Sequence, residues 1–284
     1  MNRHKILLKI KQNCLLKMKK IIKLLKLYDP RYLNSLSKRI SILEKELNKL
    51  TKFEKDLDLL IDNPEKLWLD RNKAERMDAL INDDEYTHKT RRDFHLDRYK
   101  FASEFVKGKI VADIACGTGY GTRILLEKGN AKKCTGIDID ENTVLYSQRK
   151  HGINGSEYIC ASADDLPLEN DSIDIIVSFE TLEHVIDENL VLNEFFRVLK
   201  PKGRLIISTP NKWPLSIMPY HTKEYDLKEF KRVLNTKFKI ENVYNQNSGH
   251  FWKYNHNQDR GIIQTTDKIK DLAECFIAVC IKTD

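Results

Sequence analysis

Residues 111–122, Val-Ala-Asp-Ile-Ala-Cys-Gly-Thr-Gly-Tyr-Gly-Thr, restrict the fold of this chain more than any other stretch. An apolar run from Lys109 to Ala115 carries one charge inside it, Asp113, and then breaks into glycines at 117, 119 and 121. A helical run, Thr122 to Lys128, follows and is closed by Gly129. Strand, glycine turn and helix in this order let a backbone approach a ligand closely and aim helix N-terminal amides at it.

The glycine spacing narrows the ligand. A dinucleotide fold needs G-x-G-x-x-G after its first strand, and its third glycine packs helix on strand. Here that third position is Thr122, and glycine comes one residue early. Asp113 has no place in the dinucleotide fingerprint. The pattern Asp-x-x-x-Gly-x-Gly-x-Gly from Asp113 to Gly121 instead resembles the first motif of the class I S-adenosylmethionine-dependent methyltransferases. In that family the glycine loop holds the methionine half of the cofactor, and the acid helps to position its ammonium group. The resemblance carries these roles onto Asp113, Ala115, Gly117 and Gly119.

Later motifs arrive in the family's order. Gly136-Ile137-Asp138-Ile139-Asp140 puts Asp138 at the end of a second strand, 21 residues after Gly117. A carboxylate there can accept from both ribose hydroxyls of an adenosine; Asp140 suits a helix N-cap. Ile139 joins Asp138 in the expected cofactor set. Cys160 to Leu168 resembles the family's G-D-A-E-x-L-P-F segment, whose acid accepts from the adenine amino group. Ser162 stands in the acid's place: either its hydroxyl or Asp164 as substitute takes that bond, and the Ala163 N–H can serve the ring nitrogen. Phe179, at the end of a fourth strand, completes the set.

The next stretch, Asp174 to Val185, carries the chemistry. After the strand come Glu180, Glu183 and His184, at i, i+3 and i+4, which share one face if the turn is helical. Two carboxylates and an imidazole on one point form either an acid–base set or ligands of a divalent ion. E-x-x-E-H resembles ubiquinone-pathway O-methyltransferases and the enzymes that 2′-O-methylate small-RNA 3′ ends. In those families it contributes to a metal site completed by a histidine from the loop after strand five. That loop here ends at His221. The expected catalytic and metal set is therefore Glu180, Glu183, His184 and His221, with Mg²⁺, Mn²⁺ or Zn²⁺ as candidates.

From Lys109 onward strands and helices alternate, the pattern of a parallel sheet covered on both faces. Strands are expected near 110–115, 133–138, 156–161, 173–179, 203–208, 238–245 and 275–281, and helices near 119–128, 141–150, 188–199 and 225–235. The resemblance spans residues 94–284. It implies a doubly wound, seven-stranded, Rossmann-like α/β sheet with an antiparallel last hairpin, 238–245 and 275–281. A helix from Phe94 leads into it, with Leu96, Tyr99 and Phe105 toward the sheet and Arg98 or Tyr99 near the cofactor carboxylate. Residues 209–224 and the insert 246–272, with His250, Phe251, Trp252, Tyr254 and His256, are expected to rim the acceptor site or to form a satellite core.

The N-terminal third is different in kind. The chain carries +7 overall, yet residues 1–27 hold Arg3, eight lysines and no acid, a local +9; the remaining residues therefore carry −2. Residues 1–28 read as a basic amphipathic helix suited to an anionic membrane surface or to a partner. Leu33, Leu36, Ile40, Leu43, Leu47 and Leu50 step by 3, 4, 3, 4 and 3, so 29–63 reads as a coiled coil that pairs two copies, or as an antiparallel helix pair. Residues 64–93 read as a charged helical linker. The six cysteines form no C-x-x-C pair, which argues against a structural zinc and for a reducing cytoplasm. No apolar run is long enough to span a bilayer.

These features point to an S-adenosylmethionine-dependent O-methyltransferase. The run from Phe94-His95 through His221-Thr222-Lys223-Glu224-Tyr225 resembles methyltransferases of polysaccharide and glycolipid assembly, which implies as acceptor a hydroxyl of a glycan, a lipid-linked sugar or a related small molecule; the expected place is the cytoplasm, at the periphery of the inner membrane surface. An RNA 2′-O-methyltransferase or a quinone-type enzyme is the same-fold alternative. The RNA option wants a basic face on the catalytic domain, which the charge partition disfavours. An inert scaffold would be expected to have lost Asp113, the glycines or Asp138, and an NAD enzyme is disfavoured by Thr122.

Overall fold

The computed structural model describes residues 78–80, 89–212, 221–249, 259–268 and 272–283. The chain divides into Met1–Trp68 and Leu69–Asp284, and every described residue belongs to the second unit. The expected basic helix and coiled coil lie outside the described residues, as do most of the linker and His250, Phe251, Trp252, Tyr254 and His256.

The leading helix α1 runs Lys89–Ser103, so it begins inside the stretch expected to be linker. Then come β1 (Ile110–Ile114), α2 (Tyr120–Glu127), β2 (Lys133–Asp138), α3 (Glu141–His151), β3 (Ser156–Cys160) and β4 (Ile173–Phe179). After a 3-10 turn, Leu182–His184, follow α4 (Glu188–Val198), β5 (Leu199–Pro210), α5 (Leu227–Leu234), β6 (Lys239–Asn247), β7 (Gly261–Gln264) and β8 (Cys275–Ile281). The strands form one sheet in the order β3-β2-β1-β4-β5-β8-β6-β7. β1 to β5 pair in parallel, while β8 is antiparallel to both β5 and β6. Among the described residues the sheet has eight strands rather than the seven expected. The eighth, β7, comes from the 246–272 insert and adds to the edge of β6.

Alternation along the strands sorts the core onto two faces. Ile114, Ile176, Leu205, Ile207 and Ala278 pack with Phe195 of α4 and Phe230 of α5. Val111, Ile175, Val177, Ile206 and Ile277 pack with Tyr99 and Ala102 of α1 and with Ile124 and Leu125 of α2. Arg260 beside β7 pairs with Asp93 (3.0 Å) and Asp97 (2.6 Å), which clips the edge strand to α1.

Polar side chains fix three helix starts at the carboxyl ends of the strands. Asp140 accepts from the Thr143 N–H, Asp187 from that of Asn189, and Asp226 forms a reciprocal capping box with Glu229. α2 is the exception: its N-cap is Gly119, at φ 79°, with no side-chain cap.

Candidate active site

The glycine turn occupies residues 115–119, between β1 and α2. Ala115 (φ 58°), Gly117 (φ 55°) and Gly119 (φ 79°) all adopt left-handed backbone, and a Cβ added at Gly117 would meet nothing within 4 Å. At Gly117 the turn thus leaves an open cradle in front of its backbone, whereas a Cβ at Gly119 would fall 2.6 Å from Cβ of Ser147 and 2.8 Å from Cε1 of Tyr158. Ala115 carries a Cβ in a conformation that favours glycine, a feature hidden by a search for glycines alone.

Asp138 lies beside this cradle. Its Oδ2 accepts from the Gly117 N–H (2.9 Å) and its Oδ1 from the Asp140 N–H (3.1 Å), so the carboxylate ties β2 to the glycine turn. Ile139, next along, is 70% exposed, an apolar side chain held out beside the cradle. On the third strand's loop Ser162 and Ala163 are half-buried and Asp164 is exposed, and the turn is closed by the Asp165 N–H on the Ser162 carbonyl (3.2 Å).

Asp113 lies inside β1. It is fully buried, and both carboxylate oxygens are engaged within the protein, by the Tyr99 hydroxyl (3.1 Å) and the Thr122 hydroxyl (2.8 Å). Burial pushes its pKa up to about 7, helped by the charge of Asp138 and opposed by those two hydrogen bonds. The acid stands behind the glycine turn and positions α1 and α2. Gly121 makes room for this arrangement, since a Cβ there would fall 2.0 Å from Cζ of Tyr99.

Arg98 is likewise turned into the protein. Its Nη1 meets Glu180 Oε1 at 2.9 Å and donates to Ser208 Oγ at 3.2 Å, and its Nη2 lies 3.0 Å from His95 Nδ1. Phe94 and Phe179 cover the guanidinium, with ring centroids 5.1 and 5.9 Å away. Burial works against this charge, yet Glu180, Cys275 and Tyr120 together raise its pKa above the ordinary guanidinium value. Phe179 also packs edge-on against Tyr99, with centroids 5.0 Å apart.

Beyond β4 the expected shared helix face does not form. Glu180 has left-handed backbone (φ 52°), and the helical geometry is limited to the three residues Leu182–His184. Glu180 therefore turns toward Arg98 and His95. The other three expected residues converge: one ligand-type atom each from Glu183, His184 and His221 lie within 4.8 Å of one another. Glu183 is 1% exposed; its Oε2 accepts from Thr209 Oγ1 (3.2 Å), and its buried Oε1 has no hydrogen-bond partner. Burial, then the charge of Glu180, pushes the Glu183 carboxyl up to about 8, against the Thr209 hydrogen bond and the charge of Arg98. The His184 and His221 rings stand edge to face, 5.0 Å apart. Burial and then His184 hold His221 below the ordinary imidazole value, while Glu224 acts in the opposite sense.

Thr222 anchors the loop bearing His221. Its N–H and its hydroxyl both donate to the Glu183 carbonyl (2.7 and 3.1 Å), and the hydroxyl also reaches the Val185 carbonyl (2.6 Å). Thr209 and Thr222 act through the fold, and neither stood among the site residues expected from the sequence. Along the chain after His184, Ile186 is 96% exposed and Leu190 50% exposed, with Asp187 and Asn189 also exposed between them.

Comparison with known proteins agrees with this geometry. Residues 112–207 match the family described as "Methyltransferase domain". A "probable S-adenosylmethionine-dependent methyltransferase" of Mycolicibacterium smegmatis is 32% identical over 143 residues, 48% of this chain and 54% of that protein. A fatty-acid O-methyltransferase of the same organism is 27% identical over 129 residues, 45% of this chain and 43% of that protein. The chain thus spans about half the length of the curated relatives it matches. A crystal structure of a SAM-dependent methyltransferase from Aquifex aeolicus superposes with a TM-score of 0.51, at 21% identity, over 66% of this chain and 90% of that one. With an open glycine cradle, an aspartate tied to it at the end of β2 and a 3-2-1-4-5 run of parallel strands, the chain carries a class I S-adenosylmethionine-dependent methyltransferase domain.

Proposed function

We propose that this protein transfers a methyl group from S-adenosylmethionine to a hydroxyl of a glycan, a lipid-linked sugar or a related small molecule. The observation that carries the reading is the Glu183–His184–His221 set beyond the end of β4, with a buried carboxylate oxygen that lacks a partner. A divalent ion fits this donor set of oxygen and nitrogen, and would supply the charge that the unpartnered Glu183 oxygen lacks. Bound there, such an ion lowers the pKa of a nearby hydroxyl and so eases loss of its proton. Glu180 lies outside this set, and its pairing with Arg98 suits a role in shaping the pocket wall.

The cofactor supplies an electrophilic methyl on a sulfonium, which needs little activation. Accordingly the chain's own residues bind and align. Asp138 offers its remaining lone pairs to ribose hydroxyls, Ile139 an apolar face to adenine, and Ser162, Ala163 and Asp164 its edge. The turn at Ala115, Gly117 and Gly119 would hold the methionine half, with Phe179 as a further wall residue. Alignment of nucleophile, methyl and sulfur then accounts for most of the rate.

The exposed apolar side chains of Ile186 and Leu190 favour an acceptor carried on a lipid, and the fatty-acid O-methyltransferase relative is consistent with that choice. A second reading has His184, exposed at the rim, as general base without an ion. Methyl-labelled S-adenosylmethionine, offered with lipid-phase and aqueous extracts of cells, tests both. Label is expected in the lipid phase as an alkali-stable ether, and exhaustive chelation should abolish it. Undiminished transfer after chelation would leave His184 as the base, with an imidazole-like limb in the pH–rate profile.

A further inference from the structure

We propose that Glu224 is a positioning residue for this centre: its carboxylate fixes the orientation and tautomer of His221 so that Nε2 faces Glu183 and His184. This rests on the metal reading above. Glu224 follows His221 by three residues, on the loop before α5, and its Oε1 lies 3.6 Å from His221 Nδ1. Both groups are shielded: the side chains of His221 and Glu224 are 13% and 8% exposed. At this separation Nδ1 is buried without a hydrogen bond, so an imidazole shift of under about 1 Å toward Glu224 brings the pair into bonding range.

An imidazole has two nitrogens, and their roles are linked. A proton held on Nδ1 by a carboxylate leaves the Nε2 lone pair free to ligate, and strengthens it as a donor. Glu224 is not one of the three clustered residues, so it acts through His221 rather than as a ligand. The loop has anchors other than Glu224. Thr222 is stapled to the Glu183 and Val185 carbonyls, the Lys212 N–H donates to the Tyr225 carbonyl (2.9 Å), and the Tyr225 hydroxyl reaches the Leu182 carbonyl (3.4 Å). Loss of the Glu224 carboxylate therefore removes the orienting charge while leaving the backbone on both sides anchored.

Full-length protein, stripped with chelator, is titrated with Co²⁺ alone by calorimetry and visible absorption, and separately with S-adenosylhomocysteine. Glu224→Ala is expected to weaken Co²⁺ binding by about 10- to 100-fold. Glu224→Gln, whose amide oxygen still accepts from Nδ1, should recover part of that loss. Affinity for S-adenosylhomocysteine should stay within about twofold in all three proteins, because the cofactor cradle lies on other strands. Equal Co²⁺ affinity in Glu224→Ala and the parent protein overturns the inference alone. Co²⁺ binding no tighter in the parent than in His221→Ala overturns the metal reading and this inference with it. Joint loss of both ligands in Glu224→Ala assigns the residue a structural role instead and equally overturns the proposal.

Discussion

Asp113 and Asp138 sit on neighbouring strands in opposite circumstances. Asp138 accepts two backbone N–H groups at the edge of the cradle, whereas Asp113 is sealed behind it by the hydroxyls of Tyr99 and Thr122. Asp113 therefore has a folded-state pKa of about 7, far above that of an unfolded aspartate. A raised folded pKa means that the native state holds the proton more tightly. The stability it contributes is complete below the unfolded pKa, near 4, and is lost as pH rises through about 7. The ligand-free protein should thus lose roughly 2–3 kcal/mol between pH 5 and pH 8 through this one group. Asp113→Asn should flatten that slope, as read from urea midpoints at the two pH values; parallel slopes in both proteins would remove the residue from the linkage. Its place inside strand one was legible from the motif. Its orientation was not, because the Tyr99 hydroxyl reaches it from a separate helix. Glu180 was misplaced for a local reason: the spacing to Glu183 and His184 implies a shared face only on a helix, and the backbone at Glu180 is left-handed.

At the scale of elements, the packing of α1 on α2 turns on a glycine. Gly121 lies inside α2, where alanine would ordinarily favour the helix by about 1 kcal/mol. A Cβ at this position would fall 2.0 and 2.1 Å from ring atoms of Tyr99, which is itself packed against Tyr120 and Phe179. Overpacking then outweighs propensity, and Gly121→Ala should lower stability by about 1–3 kcal/mol. A rise in the urea midpoint would show that Tyr99 yields easily and that propensity governs this turn. Most elements were legible because apolar alternation and capping aspartates agree, as at Asp140 and Asp226. Two were misread for identifiable reasons. β5 starts at Leu199 and runs through Pro201 and Lys202, the latter at φ 64°, although Pro-Lys-Gly reads as a turn. The last edge strand is four residues, Gly261–Gln264, too short to show alternation and recruited only by β6 beside it.

For the whole molecule, charge is divided unevenly along the chain. Residues 1–27 carry +9 and the rest −2, so a basic segment precedes a nearly neutral catalytic domain. That segment lies outside the described residues, and among the described ones no helix is long and apolar enough to cross a membrane. We propose peripheral contact with an anionic membrane surface through the segment. Each Lys or Arg near an anionic surface contributes about 1 kcal/mol, and the attraction decays within a Debye length of about 8 Å at physiological salt. Full-length protein should therefore co-sediment with vesicles containing phosphatidylserine, bind neutral vesicles weakly, and release as salt rises. Deletion of residues 1–27 should reduce anionic-vesicle binding at least about tenfold, since even two of the nine charges would account for that ratio. The same truncation should leave affinity for S-adenosylhomocysteine unchanged, because the candidate cofactor residues lie between 115 and 179. Equal vesicle binding by the truncated and full-length proteins would show that the anchor lies elsewhere. The basic segment would then be better explained as the docking face for a protein partner.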